Sequence, residues 1–390
     1  QICTCVGCLH LDAFGVSMAL VAFVSAPGTR LPIRLPAAHG PNRGLRSRDP
    51  RQSFLIQTVF APAILAVSLR KLRSCTTRRA TVFIDGEAGT TGLQVRERLE
   101  KHPEIEIMSL DSDKRKDEGA RREALQTADA AVLCLPDDAA VAAVALAEGS
   151  DTVIVDASTA HRVAEGWQYG FPEMSSEQAA AIAKSKRIAN PGCYPTGFIG
   201  LVRPLVDAGL LPTTAGVVVH AISGYSGGGK GLIKTYEEED HEPWGAYGFA
   251  LKHKHLAEMA RWTGLNEEPI FCPAVGDFKQ GMVVSVPLRF SQLRDGTKAA
   301  EVHEALQAHY TGSQFVSVKP LNSVEDLERG AFLRPDAVNN TNKLELFCFS
   351  NEDKGTLWLA ARLDNLGKGA SGACVQNLNL ALGFPEATGL

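Results

Sequence analysis

Thr81-Val82-Phe83-Ile84-Asp85-Gly86-Glu87-Ala88-Gly89-Thr90-Thr91-Gly92 is the stretch that decides the fold. Its first residues are β-branched and aromatic, the composition of a buried strand. Three glycines follow at once, and then Leu93, Val95 and Leu99 fall on one side of a helix that ends by Pro103. In that order, strand, turn and helix bring unpaired amides and a positive helix end to face an anion. The spacing G-x-x-G-x-x-G is a variant of the dinucleotide fingerprint. A tight turn has the same composition, but the setting between strand and helix favours a pyrophosphate site.

Outward from this turn, strands are expected at residues 105–110, 128–135 and 152–156, with a helix over 138–148. Alternating strands and helices predict a parallel sheet whose ligands bind beyond the strand C-termini, where the glycine turn, Pro136 and Asp156-Ala157-Ser158 fall. Asp111, 19 residues past Gly92, suits a ribose hydroxyl, whereas Lys114, Arg115 and Lys116 suit the 2′-phosphate of NADP; a solvated charged loop has the same make-up. Beyond Cys193, strand-like runs at 217–222, 282–290, 315–320, 344–349 and 357–363 are longer and partly alternating. The expected fold is therefore α/β: a Rossmann-like parallel-sheet domain plus an α+β domain with a mixed sheet. A helix over 370–382 returns to the first domain.

The chain's 390 residues and 45% apolar content leave room for both domains. Residues 1–79 hold 11 basic residues against Asp12 and Asp49, so they carry +9 and the remainder −13. An acidic body repels phosphates and argues against nucleic acid as the partner. Residues 18–79, rich in Arg, Ser, Ala and Pro, read as an organelle transit segment or as translated leader. The apolar runs 14–26 and 54–69 are shorter than the roughly 20 residues a membrane span needs, so no membrane partner is expected. Cys3, Cys5, Cys8 and His10 lack a second ligand pair, and no metal site is expected. The remaining six cysteines are dispersed, as in reduced proteins.

Three stretches carry chemistry. Asn190-Pro191-Gly192-Cys193-Tyr194-Pro195-Thr196 sets a cysteine at an expected helix start, where the dipole would stabilise thiolate and lower its pKa; a buried, inert cysteine is the alternative. Ser223-Gly224-Tyr225-Ser226-Gly227-Gly228-Gly229-Lys230 suits a phosphate but is no P-loop, since Gly231 follows the lysine; a flexible linker has the same composition. Lys252-His253-Lys254-His255-Leu256-Ala257-Glu258 offers two imidazoles and a carboxylate, of which acid/base work needs one imidazole near the thiol. The other eight histidines read as surface or core residues, with His161 the least settled.

Together with Asp156-Ala157-Ser158-Thr159-Ala160-His161-Arg162, Tyr169-Gly170-Phe171-Pro172-Glu173 and Asp364-Asn365-Leu366-Gly367-Lys368-Gly369-Ala370-Ser371-Gly372, these motifs resemble the N-acetyl-gamma-glutamyl-phosphate reductase family, short bacterial type, from about residue 80 to the C-terminus. The resemblance implies NADPH-dependent reductive dephosphorylation of N-acetyl-L-glutamyl 5-phosphate to the 5-semialdehyde through a cysteine thioester, the third step of arginine biosynthesis. It leaves residues 1–79 without a counterpart, as a non-core extension, and implies an NADP-binding domain at 80–193 and 366–390 and a substrate and oligomerisation domain at 194–365. Cys193 matches the family nucleophile; His253 is the choice for acid/base, with His255 and Glu258 in support. Expected cofactor residues are Gly86, Gly89, Thr90, Thr91, Gly92, Lys114, Arg115, Pro136, Ser158, Gly227 and Asn365; expected substrate residues are Arg162, Ser223, Ser226 and Lys230. A homo-oligomer, dimer or tetramer, is implied, and a cytoplasmic setting, or a plastid or mitochondrial one if residues 18–79 are a transit peptide. Rival readings are a reductase of another acyl phosphate such as aspartyl phosphate, a non-catalytic NADP sensor on the same fold, and a protein anchored by residues 54–69.

Overall fold

The computed structural model describes residues 78–390, so the readings made on the cysteine cluster, the apolar runs and nearly all of the basic extension lie outside the described residues. Two sheets organise what is described. The first takes β1 (Ala80–Asp85), β2 (Ile105–Met108), β3 (Ala130–Leu133), β4 (Val153–Asp156), β5 (Gln168–Tyr169) and β6 (Arg187–Ala189) in the order β2-β1-β3-β4-β6-β5, all parallel. Its connecting helices are α1 (Thr90–Glu100), α2 (Glu118–Thr127), α3 (Asp137–Leu146) and α4 (Gln178–Lys184).

Side-chain alternation along β1 divides the core. Val82 and Ile84 pack with Val95 and Leu99 of α1 and with Val375 and Leu378 near the C-terminus, while Phe83 packs on the opposite face with Leu125 and Ala140. Both faces are thereby covered, which is why β3 and β4 are buried throughout and read as continuous apolar runs.

The second part begins with α5 (Cys193–Asp207). It continues through β7 (Val218–Gly224), α6 (Gly229–Glu238), β8 (Trp244–Ala246), α7 (Leu256–Thr263), β9 (Ile270–Gly276), β10 (Met282–Arg289), α8 (Ala299–His309), β11 (Val316–Val318), β12 (Leu344–Asn351) and β13 (Thr356–Leu363). The sheet order is β11-β12-β13-β10-β7-β9-β8, with β7/β9 and β11/β12 parallel and the other pairs antiparallel, the mixed sheet expected. α5 lies against this sheet because Gly197 has no side chain: a Cβ there would stand 2.8 Å from Val284 Cγ2. Pro204 removes the amide that would bond the Gly200 carbonyl, and the Tyr310 hydroxyl donates to that carbonyl instead at 2.9 Å. On the other face Val283, Phe347 and Ala360 are buried with Leu333 packed against them, while an apolar row at one end lies open, with Ile270 56% and Trp358 58% exposed. The expected C-terminal helix is a π-helical turn, Gly367–Ser371, running into α9 (Gly372–Leu382), which packs on the first sheet.

Candidate active site

Gly86 (φ +87°) turns the chain at the end of β1, where a Cβ would collide with the Cys134 carbonyl; at Gly92 a Cβ would lie 2.5 Å from the Gly86 carbonyl oxygen. These two glycines let the turn close on itself. Gly89, the N-cap of α1, is less crowded, a Cβ there lying 3.4 Å from the Gly86 carbonyl oxygen, and with Thr90, Thr91, Cys134, Ala157 and Lys230 it lines a cavity of about 290 Å³. The first amides of α1 have no acceptor within the helix and point where a pyrophosphate would lie, and the Lys230 ammonium lines the same cavity. These residues fit a dinucleotide.

A larger cavity of about 590 Å³ shares Thr90, Thr91 and Ala157 with the first and is lined by Cys193, His253, Lys254 and His255. Cys193 opens α5, one residue after its N-cap Gly192. A Cβ on Gly192 would lie 2.6 Å from Arg162 Nη1, 2.6 Å from Glu258 Oε1 and 2.8 Å from His255 Nε2, so only glycine lets these three groups converge beneath the cysteine. Glu258, 1% exposed, accepts from Arg162 Nη1 (2.7 Å), the Tyr169 hydroxyl (2.9 Å) and the Gly192 amide (3.2 Å). His255 Nε2 stands 3.9 Å from Glu258 Oε1, and its buried Nδ1 has no protein partner. His253 Nδ1 accepts from the His255 amide at 3.2 Å.

Burial pushes the Cys193 thiol up to about 11; Arg162 and the Tyr194 amide pull it down, and Glu258 opposes them. This corrects the expectation of a dipole-lowered thiol, because desolvation by burial outweighs the helix end. Burial and then Lys254 lower His253 to about 4; burial, Arg162, His253 and Lys254 lower His255 well below its ordinary value. The resting pair is thiol and neutral imidazole.

Other expected site residues fall differently. Lys230, expected at the substrate, lines the cavity of the glycine turn, which adjoins the Cys193 cavity at Gly229. Arg162 lines the Cys193 cavity, but its guanidinium is committed to Glu258 and to the carbonyls of Asn190 (3.0 Å) and Ala157 (3.1 Å), so it is no open clamp for an anion. The Ser158 hydroxyl is spent on Asp156 (2.7 Å), and Pro136 N-caps α3; neither lines the two cavities. His161 also serves Asp156 (2.6 Å) and stacks on Trp167. Arg115 and Arg96 both grip Glu87 (2.6 and 2.7 Å), and exposed Lys114 faces Asp111 at 3.5 Å. Ser223, Ser226, Gly227 and Asn365 line the Cys193 cavity, Asn365 tying Ser226 (3.1 Å) to the Gly281 amide (2.8 Å). Sequence reasoning missed Tyr169, Tyr194, Tyr247 and Lys254; Tyr169, Tyr194 and Lys254 sit inside motifs quoted for other residues, the available signal.

A parallel dinucleotide-type sheet meeting a cysteine at a helix start, with a mixed-sheet partner, defines a semialdehyde-dehydrogenase fold. Residues 81–182 match the family model described as "Semialdehyde dehydrogenase, NAD binding domain", and 193–365 match "Semialdehyde dehydrogenase, dimerisation domain". Aspartate semialdehyde dehydrogenase II from Vibrio cholerae superposes with TM-score 0.58 at 14% identity, over 78% of this chain and 98% of that one; the Francisella tularensis enzyme gives 0.59 at 13%, over 77% and 99%. These likenesses concern fold. The chain is 49% identical over 317 residues to N-acetyl-gamma-glutamyl-phosphate reductase 2 of Nostoc sp., covering 79% of this chain and 98% of the relative, and 49% over 308 residues to the Brucella ovis reductase, covering 77% and 98%. The chain belongs to the N-acetyl-gamma-glutamyl-phosphate reductase family. It thus carries a nicotinamide-dinucleotide domain and a dimerisation domain, and among the described residues no helix is long and apolar enough to cross a membrane.

Proposed function

We propose that this chain reduces N-acetyl-L-glutamyl 5-phosphate to N-acetyl-L-glutamate 5-semialdehyde with NADPH, releasing phosphate, as a step of arginine biosynthesis. The observation that carries this reading is a single cavity that holds Cys193 beside a neutral, unpartnered imidazole and shares its wall with the glycine turn.

Cys193 attacks the acyl carbon as His255 takes the thiol proton; the C–S bond forms, the C–O bond to phosphate breaks, and phosphate leaves with that proton. Amides at the start of α5 face the developing oxyanion. When bound, the reduced nicotinamide supplies a hydride to the thioester carbon. His255 delivers a solvent proton to the oxygen, then moves it to sulfur as the C–S bond breaks and the aldehyde departs. His255 is preferred over His253 because its Nε2 lies beside Gly192 and its buried Nδ1 is unspent, while His253 Nδ1 already accepts from an amide. Glu258 holds Arg162, Tyr169 and the Gly192 amide in register.

The dinucleotide domain is taken as 80–193 with 366–390, and the substrate and oligomerisation domain as 194–365. Choice of NADPH rests on Lys114 and Arg115, with Arg96 at hand. A second copy covers the open apolar row around Ile270 and Trp358. On the family resemblance the setting is cytoplasmic, or organellar if residues 18–79 direct it. The test is the reverse reaction: NADP⁺ should be reduced when N-acetylglutamate semialdehyde and phosphate are both supplied. No reduction, or equal turnover on aspartate semialdehyde, would overturn the reading.

A further inference from the structure

Of the two permanent cations lining the Cys193 cavity, Arg162 is matched by Glu258 at 2.7 Å. The other, Lys254, is exposed and has no carboxylate within 4.0 Å among the described residues. Its backbone lies between the two imidazoles, it lines the same cavity as Cys193, and its charge acts on Cys193, His253 and His255. It therefore shares the cavity that holds Cys193 and both imidazoles.

This deepens the proposed function and rests on it: the substrate is anionic at both ends, with a phosphate one oxygen away from the carbon Cys193 attacks and a carboxylate several bonds off. With Arg162 neutralised, Lys254 is the one unpaired permanent positive charge lining the Cys193 cavity among the described residues, and it is left for the end that carries the most negative charge. A dianion brought next to a buried thiol and a carboxylate would be repelled without one. We infer that Lys254 holds the phosphoryl group, as it leaves in reduction and as free phosphate in reverse. In the reverse direction a phosphate oxygen attacks the thioester carbon, the C–O bond forms, the C–S bond breaks and the electron pair returns to Cys193; Lys254 binds the attacking phosphate. The far carboxylate is left to the hydroxyls and amides of the 223–228 loop.

The two halves of the reverse reaction separate this role from all others. Semialdehyde and NADP⁺ without phosphate should give a burst of one NADPH per site, because thioester formation needs no phosphate; turnover then waits on phosphate. In Lys254→Met the burst amplitude should persist, while the KM for phosphate rises by about tenfold or more, as for loss of a charged contact of roughly 1.5–3 kcal/mol. The KM for semialdehyde should stay nearly constant. Lys254→Arg, which keeps the charge, should recover most of the phosphate affinity and guards against a folding defect in the methionine variant. Independently of turnover, inorganic phosphate alone should raise the melting temperature of the wild type and not of Lys254→Met. An unchanged phosphate KM, or a rise in semialdehyde KM with loss of the burst, would overturn the assignment. Absence of a burst in the wild type would instead remove the proposed function itself.

Discussion

Beneath Cys193, Glu258 collects Arg162, Tyr169 and the Gly192 amide, and His255 beside it keeps a ring nitrogen without a partner. Behind Cys193, Lys368 is spent completely: its ammonium, 1% exposed, donates to both oxygens of Glu173 (2.7 and 2.8 Å) and to Gln376 (2.6 Å). That lysine lies in the π-helical turn whose Gly369 backs the cysteine so closely that a Cβ there would be 2.9 Å from Cys193 Cβ. Both clusters are buried and charged, yet only one has a nitrogen to spare. A satisfied network fixes position; an incomplete one leaves a group free to exchange a proton. Cys193 sits where the two meet.

Removing the sulfur is the hardest test of that picture. Cys193→Ala should lower reductase turnover by roughly 10⁴-fold or more, with no acyl-enzyme detectable by mass, while NADPH binding stays nearly intact. Normal turnover would mean that the clusters flank no nucleophile, and the contrast between them would lose its meaning.

The next largest effects compare the clusters directly. Lys368→Met leaves Glu173 buried without its cation, and Arg162→Met does the same to Glu258; each should cost about 3–5 kcal/mol in urea unfolding. Replacing both partners by apolar residues should restore most of that stability for Lys368 and Glu173, and less for Arg162 and Glu258, whose loss strands the Tyr169 hydroxyl and the Gly192 amide. Turnover should return in Lys368→Met/Glu173→Leu and stay low in Arg162→Met/Glu258→Leu, since Glu258 also orients the Gly192 amide beside the nucleophile. Equal recovery of turnover in both double variants would dissolve the distinction.

How much of this was legible in the sequence follows from the range of the interactions. β1, its glycine turn and α1 are local, and each residue choice agrees with its neighbours, so the reading of residues 81–99 survives intact. Cys193 was legible because Gly192 and the helix it opens are adjacent in the chain. β9 was not, since Pro273 interrupts its pattern; the residue is tolerated where the only outer neighbour is the three-residue β8. The fate of Arg162 was not legible either, because its partner Glu258 lies 96 positions away and no spacing rule joins them. The same holds for Lys230, whose cavity is set by the approach of α6 to the glycine turn. The state of the Cys193 thiol is not legible either, because the helix end is a local feature, whereas burial depends on how distant segments such as the turn at Gly369 close on the cysteine backbone.

The smallest effect concerns protons. His253 titrates near 4 in the folded chain and near 6.5 when unfolded, because burial and Lys254 oppose its charge; His255 is lowered well below its ordinary value in the same direction. Between those values the unfolded chain binds protons that the folded chain refuses, so this contribution to stability is fully present above about 6.5 and is lost as pH falls towards 4. His253 is only half-buried, so solvent screening trims its share. His102 and His309 are lowered by burial too and contribute to the same acid limb. His255→Asn should therefore make the fall in stability between pH 6.5 and 4 shallower without abolishing it, read from urea midpoints across that range. Lys368→Met/Glu173→Leu should keep the wild-type slope, because no imidazole is among the partners of Lys368. If the slopes change in the opposite sense, the proton-accepting character assigned to the cluster beneath Cys193 belongs to the one behind it.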